Sequence, residues 1–115
     1  MKSPKQKGNR YEQVIAKMYQ RKLDKFAKRM PTSGAMEYYK ADILKSKYDG
    51  WHDECKHQEK ISIYKWWEQA KAGCGMSKPV LHFRSNHKDS LTVIRTEDYF
   101  DMREELQDWR NQYDK

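Results

Sequence analysis

The spacing of apolar positions changes period several times along the chain, and each change predicts an element. Tyr11, Val14, Ile15, Met18 and Tyr19 recur at three- and four-residue intervals, the signature of one helical face. That helix is predicted to start at Asn9, a good N-cap type. The preceding "MKSPKQKG" is polar, basic and broken by Pro4 and Gly8, which predicts a flexible arm over residues 1–8. A short strand is expected around Lys25 to Met30, stopped by Pro31 and the loop "TSGAM". "YYKADILKS" predicts a second strand, "KYDG" a tight Asp-Gly turn and "WHDECKHQ" the returning strand, together a hairpin. Ser62 is placed to cap a helix running to Ala72, with Gly73 as its stop. "VLHFRS" and "SLTVIR" then read as strands joined by "NHKD". Thr96 is placed to cap a last helix with an acidic first turn, as the helix dipole favours. On that helix Tyr99, Met102, Leu106, Trp109 and Tyr113 form an apolar stripe. The simplest use of the stripe is packing on the protein's own sheet; covering by a second chain is the alternative.

Helix, strands, helix, strands, helix in 115 residues predicts one α/β domain over residues 9–115, a small mixed β-sheet flanked by helices. Net charge narrows the class of partner. The chain carries +7, and the charge is polarised: Met1 to Met30 hold ten Lys or Arg against two acids, whereas Glu97 to Lys115 hold three against seven. A face so basic suits a polyanion, with nucleic acid first among candidates. Two cysteines are too few for a disulfide scaffold, and no apolar run approaches a membrane span, so no membrane partner is expected and a reducing cytoplasm is the expected compartment.

Candidate chemistry lies in the hairpin. Alternation along a strand puts His52, Glu54, Lys56 and Gln58 on one face, and the hairpin can bring Asp42 beside them. Two carboxylates one strand apart make a hard oxygen site for Mg²⁺, and an adjacent lysine can position or deprotonate a water. These are the pieces of metal-assisted phosphodiester hydrolysis. A zinc site from His52, Cys55, His57 and Cys74 is a weaker reading, because alternation sets His52 opposite Cys55 and His57 and no Cys-x-x-Cys pair is present.

Five segments occur in order: "KGNRYE" at Lys7 to Glu12, "RMPTSG" at Arg29 to Gly34, "AD" at Ala41 and Asp42, "ECK" at Glu54 to Lys56 and "EQA" at Glu68 to Ala70. As a set, over Lys7 to Ala72, they resemble the archaeal-type Holliday junction resolvases of the PD-(D/E)XK nuclease superfamily. The resemblance implies a restriction-endonuclease-like fold and a Mg²⁺-dependent endodeoxyribonuclease, with Mn²⁺ as a substitute. It implies Asp42, Glu54 and the Cys55 backbone carbonyl as metal ligands, with Glu12 supporting them from the side. Lys56 would be the catalytic lysine, and Gln69 would help to orient the site. Lys7, Arg10, Arg29 and Ser33 would contact DNA, with Arg29 and Ser33 at the scissile phosphate. The implied partner is branched double-stranded DNA, cut by paired nicks from a homodimer.

This chain departs from the family pattern where Ala41 replaces a proline, where the hairpin "KSKYDGWHD" is unusually polar, and at the Trp66–Trp67 pair. Without the resemblance, Glu12 reads as a carboxylate complementing a helix N-terminus, Gln69 as a solvated helix residue, and Arg29 and Ser33 as loop polarity. Two further functions compete with junction resolution: a PD-(D/E)XK nuclease acting on flaps, nicks or plain duplex, and a non-catalytic basic DNA-binding protein. Asp42, Glu54 and Lys56 are all present, which speaks against the last. The economy of the chain points to a bacterial virus or mobile element as its source.

Overall fold

In the computed structural model, which describes residues 3–31 and 40–113, the first helix, α1 (Pro4–Lys22), begins earlier than the sequence predicts. Ser3 accepts the Gln6 N–H at 3.2 Å, and the Gln6 side chain accepts the Ser3 N–H at 3.0 Å. This reciprocal capping box satisfies two otherwise orphaned donors, and Pro4 at the first helical position has no N–H to satisfy. Pro4 to Gly8 are therefore helical rather than an arm, and Asn9 lies inside the helix rather than at its cap.

Two very short strands follow, β1 (Lys28–Arg29) and β2 (Ile43–Leu44), paired antiparallel with Arg29 opposite Ile43. The third strand, β3 (Trp51–His57), pairs in parallel with β4 (Lys78–Arg84), and α2 (Ile63–Gly73) makes the crossover between them. A fifth strand, β5 (Leu91–Val93), lies antiparallel on the other side of β4. The expected hairpin of β2 and β3 is thus not a regular ladder. The two strands belong to separate ladders and meet where the Asp42 N–H donates to the Asp53 carbonyl at 2.9 Å. The turn between them has Gly50 at φ 85°, a conformation that a side chain would strain.

Alternation along β3 sorts its side chains between two helices. Asp53 meets Tyr19, and His57 meets Tyr11, both on α1; His52 lies against Gly73 of α2. One core gathers Tyr11, Ile15 and Ala16 of α1 with Ala27, Ile43 and Cys55. A second gathers Trp66 of α2 with Leu81 and Phe83 of β4, with Trp67 packed at its edge. The result is a mixed sheet between α1 and α2, a restriction-endonuclease-like α/β fold. Gly73 remains helical; the chain turns out of α2 through Cys74 and then Gly75, which takes the positive φ of 55° that ends the helix.

The last helix, α3 (Thr96–Tyr113), breaks with the expectation that it packs on the sheet. Its stripe residues are 46–70% exposed, and Asp98 is its one buried residue. The molecule is 55 Å long but only 28 by 27 Å across, the proportions of a small domain with a helix about 27 Å long standing off one end. Periodicity shows that an apolar stripe exists; it does not show what covers it.

Candidate active site

Asp42 sits at the seam between the two ladders, held by backbone on both sides. Its N–H donates to Asp53 and its carbonyl accepts the Met30 N–H at 2.8 Å, while its Oδ2 accepts the Cys55 N–H at 2.8 Å. The first carboxylate is therefore fixed directly beside the strand that carries the second. On β3, Glu54 and Lys56 share a face, with Lys56 Nζ 3.4 Å from Glu54 Oε1. From α1, Glu12 reaches the same region, its Oε2 3.3 Å from Arg29 Nη1.

The electrostatics tie these groups together. Burial pushes Glu54 up to about 7, the charge of Asp42 adds to the rise, and Lys56 opposes it. Burial likewise lifts Glu12 to about 7, with Asp42 and Glu54 contributing and Arg29 opposing. Asp42 is raised by burial, against the Cys55 N–H and Lys56, which favour its charged form. Burial thus disfavours the charged forms of Glu12, Asp42 and Glu54, with Lys56 and Arg29 beside them. Such a region gains from a cation.

Other predicted site residues fall less tightly. Gln69 is exposed on α2, and its side chain makes no hydrogen bond to a described residue. Lys7 and Arg10 line a groove of about 490 Å³ with His57, Arg84 and Lys88. Arg84 stacks over the Tyr11 ring at 4.9 Å, which fixes one cation of that groove. Cys55 is buried among apolar side chains, and burial raises its thiol well above the ordinary value, so its side chain is packing and only its backbone borders the site. Ser33 lies outside the described residues. Among the described residues no three His, Cys, Asp or Glu side chains converge as ligands of one ion, so Glu12 does not join Asp42 and Glu54 in a direct three-carboxylate cage.

Asp42, Glu54 and Lys56 thus lie near one seam between the two ladders. The family model described as "Phage putative PDDEXK endonuclease" matches residues 3–114. The chain belongs to this phage endonuclease family. No curated protein and no solved structure gives a significant match.

Beneath the candidate site lies a buried polar network that the sequence reading missed. Asp53 is fully buried, and its carboxylate takes Lys45 Nζ at 2.7 Å, Tyr19 Oη at 2.6 Å and His82 Nε2 at 2.8 Å. Burial alone would raise Asp53, but the His82 hydrogen bond and the Lys45 charge outweigh it and hold the group below its ordinary value. The Asp53 carbonyl is the acceptor for the Asp42 N–H, so the network anchors Asp42 of the candidate site. One signal was available: alternation puts Asp53 on the same face as Cys55, which is an inward face. On that face an acid must be paired.

Proposed function

We propose that this chain is a metal-dependent endodeoxyribonuclease that resolves four-way and other branched DNA by paired nicks as a homodimer. The observation that carries the catalytic part is the seam itself, where the charge of Asp42 raises the proton affinity of Glu54 and Lys56 stands 3.4 Å from Glu54. The donors are hard oxygens from two carboxylates, which fits Mg²⁺ or Mn²⁺ and leaves room for the waters such ions retain. Asp42, Glu54 and the Cys55 carbonyl would hold the ion, with Glu12 acting from outside through water. When bound, the ion would polarise the phosphodiester and acidify a water.

Lys56 is the group placed to orient the attacking water and to offset charge developing on the phosphate. Arg29, held by Glu12 and by the Met30 carbonyl at 3.1 Å, presents a cation beside the carboxylates for the scissile phosphate. Ser33 would assist it, and Gln69 would orient the site from α2. Lys7 and Arg10 would track the DNA backbone in the basic groove. Junction selectivity and paired cutting rest on the resemblance of the five ordered segments. A phage enzyme of this kind would work on replicating DNA in the host cytoplasm.

The deciding experiment compares wild type and Glu54→Ala on a fixed four-way junction, a flap and a linear duplex, each with Mg²⁺ and with Ca²⁺. Symmetric paired nicks confined to the junction, lost in the variant, are the expected result. Equal cutting of all three substrates would replace resolution with general nuclease activity. Binding with no Mg²⁺-dependent cleavage by wild type would refute catalysis.

A further inference from the structure

The exposed stripe of α3 obeys a strict heptad. Tyr99, Leu106 and Tyr113 occupy one core position, and Met102 and Trp109 the other, at alternating spacings of three and four. A solitary helix has no use for such a stripe, and among the described residues no other element covers it. The flanking charges are ordered as well. With Tyr99 as position a, the g positions are Asp98, Glu105 and Gln112, and the e positions are Arg103 and Arg110. In a parallel two-stranded coil each g residue faces the e residue five places further along the partner. Glu105 then meets Arg110, both exposed and of opposite sign, while Asp98, the g residue opposite Arg103, is also of opposite sign but lies buried at the helix root. In an antiparallel pair e faces e and g faces g, which sets arginine against arginine and acid against acid.

From this register we infer that α3 pairs in parallel with α3 of a second copy of this chain, forming a short coiled coil that joins two nuclease domains at one end. The inference deepens the homodimer in the proposed function by naming its interface, and it depends on nothing in the metal site. Area sets its strength. Five side chains of roughly 200 Å² each, about half exposed, offer on the order of 500 Å² per helix, or about 1,000 Å² for the pair. That falls just below the ~1,200–2,000 Å² that stable interfaces bury. A parallel arrangement also brings the two helix roots together. There Ile61, Tyr64, Trp67 and Ile94 line an open groove of about 660 Å³ that supplies further apolar surface. The Trp109 and Tyr113 rings already stack at 4.3 Å within one helix, so little ordering remains for that part of the seam. The inferred dimer is therefore concentration-dependent.

The test uses the full chain without DNA or metal, so its outcome is separate from that of the cleavage assay. Asp98 is buried at the helix root, whereas Glu105 and Arg110 are both exposed, and reversing either of the latter leaves the domain's packing untouched. Sedimentation equilibrium is measured for wild type, Glu105→Arg, Arg110→Glu, and an equal mixture of the two variants. Wild type is expected to dimerise, and each variant alone to associate about ten-fold or more weakly, because both of its 105–110 flank pairs become like-charged. The mixture is expected to regain the wild-type dimer as a heterodimer, since each reversed side then meets its opposite. In a Cys74→Ser background, Tyr113→Cys should cross-link across the parallel seam. A wild-type monomer at every concentration, variants that dimerise as wild type does, or a mixture no stronger than its components would each overturn the inference.

Discussion

The Asp42 carboxylate accepts the Cys55 N–H at 2.8 Å, so one residue both joins two ladders and offers its charge to the site. The two roles separate by substitution. Asp42→Asn keeps an oxygen that can accept the Cys55 N–H but removes the negative charge, whereas Asp42→Ala removes both. Cleavage should fall at least ~100-fold in each variant. Only the alanine variant should also lose stability, by about 1 kcal/mol or somewhat more for the unsatisfied N–H. Urea denaturation beside cleavage rates checks this; equal destabilisation by both substitutions would remove the structural half of the claim.

Asp53 and Lys45 form a buried ion pair that is expected to hold position rather than to react. Lys45 Nζ bonds Asp53, Asp49 and the Trp51 carbonyl, and its side chain is 5% exposed. Burial disfavours the Lys45 charge, but Asp53 overrides burial and raises its pKa. Asp53→Ala leaves that ammonium without its main partner and should cost about 3–5 kcal/mol. Replacing both, as Lys45→Met with Asp53→Leu, should cost clearly less than Asp53→Ala alone. Chemical denaturation of the three variants decides it, and a double variant as unstable as the single would point to shape rather than charge.

How far the chain discloses these relationships depends on their range. The alternation of β3 is local, so the shared face of Glu54 and Lys56 is legible, as is the opposite side for Cys55. The buried network is not, because Tyr19 and His82 lie 34 and 29 residues from Asp53 in sequence. The early start of α1 was legible in principle. Ser3 and Gln6 form a capping box around a proline that reads as a breaker until its place at the first helical position is noticed. Similarly, Gly73 reads as the helix stop, and only the backbone shows that Gly75 takes the left-handed turn. Asp42 is legible as a site residue from the hairpin reading as well as from the resemblance, while its fastening to Cys55 is visible only in three dimensions.

Glu12 and Glu54 give the metal-free protein a pH dependence of definite sign. Both carboxyls are raised from 4.5 to about 7, chiefly by burial and then by Asp42. Between those values the folded state binds more protons than the unfolded state, so these two groups destabilise the fold as pH rises through that window. Glu12→Gln with Glu54→Gln should therefore be more stable than wild type at pH 8, by up to ~3 kcal/mol per site, less for two groups that share one field. The gain should vanish at pH 4, where both carboxyls are protonated in either state. Thermal melts across pH measure the difference, and a gain independent of pH would sink the account. Added Mg²⁺ should raise the wild-type Tm more at pH 8 than at pH 5, because protons then no longer compete for the carboxylates.

The groove of Lys7, Arg10, Arg84 and Lys88 makes a prediction about salt. If the groove carries phosphates, each contact releases condensed counterions, and log K falls with log salt by about 0.9 per contact on duplex DNA. Lys7→Ala and Lys88→Ala should each reduce the steepness by roughly one, with a similar loss of affinity for every DNA sequence. Arg84→Ala should do more than either lysine. It removes a charge and also the cation stacked on Tyr11, a core residue, so a small loss of stability should accompany the lost affinity. Binding is measured in Ca²⁺ over a salt series with cleavage suppressed. A slope unchanged by all three substitutions would place the DNA on another face, and the carboxylate seam would then have to receive its phosphate from the α2 side.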